Sequence, residues 1–169
     1  MREILAALIS VSTAADAHAA ECPAEVDRTQ LALDYDSFDA RSWRPLQGQG
    51  CADAAVALLT AYQAENKGKL SEAQIREIHF HAGQALAFAR RDRESIPHFE
   101  LARGGEEEWA AYADATLAFL KRDVAELRRQ RARYAGAPQA SAMRLAVIDG
   151  FLACPNKRYA DAAHCAMSH

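Results

Sequence analysis

The chain has 169 residues and 18.5 kDa, half of them hydrophobic and a quarter charged, which is globular composition and excludes bulk disorder. Its net charge of -3 and pI near 6.1 argue against a dedicated nucleic-acid binder. The 39 alanines against 5 valines and 6 isoleucines disfavour a large sheet and predict an all-α fold.

The first residues read as an address. In MREILAALISVSTAADAHA, Arg2 supplies a short basic region and Ile4 to Val11 an apolar run, broken only by Ser10. Ala17-His18-Ala19 is an A-x-A site, so residues 1–19 are expected to be a secretory signal peptide cleaved after Ala19. Glu3 offsets Arg2, and an N-terminal helix of the domain is the competing reading. The apolar run is too short to span a bilayer, and no other run approaches 18 residues. Removing the signal leaves roughly 150 residues, one domain's worth. The expected address is periplasmic or secreted.

Cysteine usage agrees. Cys22, Cys51, Cys154 and Cys165 are even in number, which in an exported chain suggests two disulfides. Of the three pairings, local closure as Cys22–Cys51 and Cys154–Cys165 is preferred. If 157–165 were one helix, however, its ends would lie about 12 Å apart. A disulfide needs Cα atoms within about 7 Å, so the tail must bend back or the pairing must differ.

Residues 20–50 carry Pro23, Pro45, Gly48, Gly50 and the acids Asp34, Asp36 and Asp39. They predict an irregular lead-in, extended or partly helical, tacked to the core by Trp43 and Leu46. From Cys51 onward (51–169) a helical domain is expected, because a 3.6-residue period takes over. A helix over 52–66 places Ala55, Leu58, Leu59 and Tyr62 on one face, and Gly68 stops it. Ser71 caps the next, which has one stripe of Ile75, Ile78, Ala82, Leu86 and Ala89 and a second of Phe80, Gly83 and Ala87. A helix apolar on two sides sits between neighbours, and Gly83 lets one of them approach closely. A shorter helix over 93–103 should hold Pro97 in its first turn. Gly104-Gly105 ends it, and Glu106 to Glu108 open a helix with Trp109, Tyr112, Ala113, Thr116, Leu117 and Leu120 on its face. Further helices are predicted at 123–135, 141–153 and 157–164.

LAFARRD at 86–92 recurs as LAFLKRD at 117–123, a period of 31 that points to stacked helical pairs. The first unit has Ala82-Gly83, Leu86, and then Ser95, Phe99 and Ala102 in a small-x-x-x-Phe-x-x-Ala pattern. It resembles the tetratricopeptide repeat, with His79 where the family prefers Trp and Glu107 where it prefers Pro. The second unit keeps Ala113, Leu117 and Ala132, with Asp114 in place of the packing glycine. The likeness covers about 71–135. It implies an array of antiparallel helix hairpins, about six helices in all, whose first helices line a groove for a peptide. The matching groove positions are Glu77, Phe80 and Gln84, then Glu108, with Ala111 and Ala115 giving room. The resemblance implies a non-catalytic protein- or peptide-binding module, with an unknown partner, no cofactor and no nucleic acid.

Two other readings compete. Cys51, behind the loop PLQGQG and opening a helix, sits where a thiol's pKa is lowered. The stretch resembles the cysteine-bearing helix of papain-like, bacteriocin-processing peptidases. Against that, Ala52 and Asp53 replace the small residue and proline that follow in that family, Pro45 stands where its oxyanion glutamine belongs, and each downstream histidine lies in or beside helical sequence. A half-cystine opening a helix is the preferred account, so no catalytic residue is assigned. The third reading is a small envelope protein meeting an anionic surface through a ridge of Arg90, Arg91, Lys121, Arg122, Arg128 and Arg129. The same arginines also suit a solvated outer face whose stems cover apolar surface. No metal site is expected: His79 and His81 point about 200° apart on a helix, and His98 and His164 stand alone.

Overall fold

The computed structural model describes residues 21–167, whose regular elements are all helices, with no strand among them. The signal segment expected over 1–19 lies outside the described residues.

The acids of the lead-in act as caps. Asp27 accepts the Thr29 N–H and opens a 3-10 helix, Arg28–Ala32. Asp34 accepts the Ser37 N–H and opens α1, Tyr35–Arg41. α2, Trp43–Gly48, follows at once. Trp43 and Phe38 are fully buried, and Phe38 stacks on Tyr62 with ring centroids 3.6 Å apart. The burial of Trp43, and the partial burial of Leu46 against the same cluster, give the lead-in its hold on the core. Helices this short leave too few turns for a period to show in sequence.

α3 (Ala52–Glu65) and α4 (Glu72–Phe88) form the first long pair. Ser71 accepts the Gln74 N–H while Gln74 accepts the Ser71 N–H, a complete capping box. α4 divides the core. Its Ile78, Ala82 and Ala85 pack with Leu58, Leu59, Tyr62 and Trp43. Its Phe80 and Ala87 join a second cluster with Phe99, Tyr112, Leu127, Phe151 and Tyr159. A Cβ on Gly83 would lie 3.0 Å from three carbons of the Phe99 ring. The missing side chain therefore lets α5 (Asp92–Leu101) lie close against α4. Pro97 falls in the second turn of α5, not the first, because the helix already begins at Asp92. Its absent N–H costs the bond to the Arg93 carbonyl, and both residues are exposed, which leaves that carbonyl to water.

α6 (Glu107–Leu120) and α7 (Val124–Gly136) make the next antiparallel hairpin, and α8 (Ala142–Ala153) packs on both. α6 is the most enclosed helix: between Ala110 and Phe119 only Asp114 escapes full burial. α4 and α6 end alike. Arg90 and Arg122 both take left-handed φ, 64° and 61°. The following N–H returns to a carbonyl five residues back, Arg91 to Leu86 and Asp123 to Ala118. The structural offset is therefore 122 − 90 = 32 residues, one more than the echo in sequence. This moves the partner of Gly83 from Asp114 to Ala115, which is small and wholly buried. Asp114 instead bonds Arg103 at 2.6 Å.

The tail does not run as a helix over 157–164. α9 is one turn, Tyr159–Ala162, and a 3-10 turn follows at Cys165–Met167. That bend removes the length objection: Cys154 and Cys165 are bonded with Cα atoms 6.3 Å apart. Cys22 and Cys51 form the other disulfide, at 5.4 Å.

Candidate functional site

The four groove positions are all engaged within the chain. Phe80 is only 2% exposed and meets Phe99, Trp109 and Tyr112 at ring-centroid distances of 4.9, 5.1 and 5.0 Å. It is a core residue, out of reach of a ligand. Ala111 and Ala115 are likewise fully buried. Glu77 accepts the Tyr35 hydroxyl at 2.8 Å, which ties α4 to α1. Gln84 donates to the Tyr159 hydroxyl at 3.3 Å. Glu108 accepts both the Tyr134 hydroxyl and Arg144 at 2.8 Å, and Arg144 lies over the rings of Trp109 and Tyr112.

The chain's own C-terminal segment is what meets this side of the array. α9 packs on α8 and reaches back to α4. Tyr159 is buried among Phe88, Phe99 and Phe151, at 5.3, 5.9 and 5.2 Å. Burial pushes its hydroxyl up to about 12, so it stays protonated and shares hydrogen bonds with Gln84 and Tyr112. Gly150 makes the approach achievable, because a Cβ there would run into the Ala162 carbonyl oxygen.

The basic ridge stays at the surface, with most of its side chains bonded within the chain. Arg90 pairs bidentately with Asp161 at 2.9 and 3.1 Å, and its own carbonyl accepts Arg158 at 2.6 Å. Arg122 donates to the carbonyls of Pro155 and Lys157. The two left-handed arginines thus clamp residues 155–161. Left-handed backbone in a non-glycine residue costs of order 1–3 kcal/mol and persists where the surroundings compensate it. Arg91 bonds Asp53 and Glu94, Lys121 pairs with Glu100 and Arg129 with Glu126. Arg128 is exposed and has no ion pair among the described residues.

Cys51 begins α3 at a helix N-terminus, as the spacing predicts, but its sulfur is bonded to Cys22 and offers no thiolate.

Two histidine arrangements emerge only in three dimensions. His98, solitary in sequence, faces His79 across the α4–α5 hairpin with ring centroids 6.4 Å apart. Burial lowers the pKa of both, and for His79 the charge of His98 adds to it. Gln63 closes on His79 at 3.4 Å. Among the described residues no group of three His, Cys, Asp or Glu side chains could hold a metal. His81, buried in α4, stacks on Trp43 and places Nδ1 2.8 Å from Asp39. Asp39 also accepts the Trp43 indole N–H and the Arg44 guanidinium. Burial works to raise the Asp39 pKa, but these donors outweigh it and hold the carboxyl well below the ordinary range. The cluster joins α1, α2 and α4 at one point.

The sequence reading also missed a cavity of about 720 Å³ between the N-terminal segment and α1 to α3. Pro23, Val26, Arg41, Pro45, Leu46 and Leu58 are among the residues that line it. No helix among the described residues is long and apolar enough to cross a membrane. Two disulfides in a chain of this size fit an oxidising compartment. No protein-family model, curated protein or solved structure matches the chain.

Proposed function

We propose that this chain is an exported, tetratricopeptide-like interaction module that binds another protein or peptide and catalyses no reaction. One observation carries the reading. The helical hairpins α4/α5 and α6/α7, with α8 beside them, already hold a short helix against α4 and α8 through a single buried aromatic anchor, Tyr159. Groove recognition of a short segment uses the same physics, with one or two apolar anchors in a preformed helical surface. In this chain the segment is its own tail, so a partner either displaces residues 155–167 or docks elsewhere. Leu101 and Met143, 59% and 71% exposed, are large apolar side chains left for such docking. Export to the periplasm or beyond, with cleavage near Ala19, accords with the two disulfides. The bonded Cys51 counts against the hydrolase alternative.

The test is site-specific photo-crosslinking in an expressing cell. The reactive side chain is placed at Gln84, Leu101 or Met143, and the mass of the released protein is recorded. The reading expects a mass short by residues 1–19 and four hydrogens. It also expects one discrete cross-linked protein. An exported chain that cross-links to no protein from any of the three positions would refute it.

A further inference from the structure

Three loops meet at one end of the array: α4–α5, α6–α7 and α8–α9. They bring RRDR at 90–93, KR at 121–122 and NKR at 156–158 together. Between them lies a cleft of about 770 Å³, lined by Arg90, Arg91, Arg93, Arg122 and Arg158 together with the acids Asp92 and Glu94. All five lining cations are arginines, in a chain whose net charge is -3.

The five do not have equal charge left to offer. Arg90 is compensated by Asp161, and Arg91 by Asp53 and Glu94. Arg122 and Arg158 bond only to neutral carbonyl oxygens, each through one terminal nitrogen. Their positive charges have no carboxylate partner among the described residues. Arg93 is exposed and has neither an ion pair nor a hydrogen bond there. Of the two acids, Glu94 is held by Arg91. Asp92 opens α5, where the helix N-terminus offsets part of its charge, and one of its carboxylate oxygens is buried without a hydrogen-bond partner. Three guanidiniums with no ion-pair partner therefore converge on one polar concavity, against a single unpaired carboxylate, Asp92.

We infer that this cleft binds a ligand bearing clustered phosphate groups. A guanidinium is a planar fork of N–H donors that matches phosphate oxygens bidentately, a geometry lysine does not offer. A cleft focuses the field of such groups beyond what a flat surface achieves. Three forks and a volume of this size suit several phosphates, or a phosphate on a larger body, better than a single carboxylate. The tail clamp and the anion site share their arginines: Arg122 and Arg158 hold residues 155–158 and the same segment forms one wall of the cleft.

The probe is inorganic tripolyphosphate, titrated calorimetrically into the disulfide-intact protein at low salt. Arg93→Glu changes a side chain with no partner, so the fold has no reason to respond. Arg128→Glu is the matched control, an equally exposed and unpaired arginine outside the cleft. The expected result is one site, about tenfold or more weaker in Arg93→Glu and unchanged in Arg128→Glu. Co-sedimentation with phosphatidylglycerol vesicles identifies the source. Vesicle binding lost in Arg93→Glu assigns the phosphate to a headgroup, and tripolyphosphate binding alone assigns it to a free ligand. Absence of any heat at millimolar tripolyphosphate, or equal weakening in the two variants, overturns the inference.

Discussion

Replacing Gly150 by alanine tests whether the tail really closes onto α8. In an ordinary helix interior, alanine is favoured over glycine by about 1 kcal/mol, so a free α8 would gain stability. In this structure the new Cβ would overlap the Ala162 carbonyl oxygen, and the Ala163 carbonyl oxygen stands 3.3 Å away. Both obstacles are backbone, which cannot swing aside as a long side chain can. Relief requires α9 to retreat by roughly 0.5–1 Å, which forfeits a quarter to a half of each van der Waals well it makes. The contacts at risk are those of Tyr159, Ala162 and Ala163, all buried. Overpacking of this kind costs about 1–3 kcal/mol. Set against the propensity gain, the net loss is about 0–2 kcal/mol, or a Tm lowered by up to about 8 °C. The assay is thermal unfolding followed by far-UV circular dichroism with the disulfides intact, with hydrogen exchange read at 159–163. Gly136→Ala is the comparison, since its Cβ meets nothing within 4 Å. It should be neutral or stabilising by up to about 1 kcal/mol. If Gly150→Ala raises Tm as Gly136→Ala does, α8 and α9 are not in contact and the packing of the tail on α8 and α4 is refuted.

Other consequences can be measured in the same way. Opening Cys22–Cys51, with a separation of 29 residues, should cost about 3.6 kcal/mol, and opening Cys154–Cys165, with a separation of 11, about 2.8 kcal/mol. Urea midpoints of the Cys51→Ser/Cys22→Ser and Cys154→Ser/Cys165→Ser pairs check that order. His79 and His98 both titrate below the ordinary 6.5, so the folded chain binds fewer protons than the unfolded one as pH falls. Stability is therefore fully present above about pH 6.5 and declines below it. His98→Asn should flatten that decline between pH 7.5 and 5.5, and an unchanged slope would show that the pair does not titrate as described. Arg122→Gly relieves a left-handed residue at φ 61° yet removes the bonds to Pro155 and Lys157. The two effects oppose each other, so Tm should change little while the amides of 155–161 exchange faster. Protection left intact in that segment would mean that the clamp does not hold it.

What the sequence determined by itself is local. Alanine content, stripes at helical spacing, the Ser71 cap and the Gly104-Gly105 break sufficed to place the long helices within about two residues, because each signal lies within a turn or two of what it specifies. The pairing of nearby cysteines also follows from short separation, once the last helix is seen to be a single turn. A partly helical lead-in is expected from the sequence, but its short helices have no assignable bounds there, because caps such as Asp27 and Asp34 act without a period to accompany them. The one-residue error in the repeat arose because similar letters, LAFARRD and LAFLKRD, end their helices one position apart.

The tertiary structure alone decided which polar and aromatic groups remain open to a partner. A stripe position such as Phe80 can face a groove or a neighbouring helix, and only packing against Phe99, Trp109 and Tyr112 makes it core. Arg90 meets Asp161 across 71 residues, and Arg122 meets Lys157 across 35. His98 reaches His79 only because Gly83 lets α5 lie against α4. Contacts at such separations depend on how helices stack. No short pattern encodes that stacking, because it is set by the complementary burial of whole helix faces.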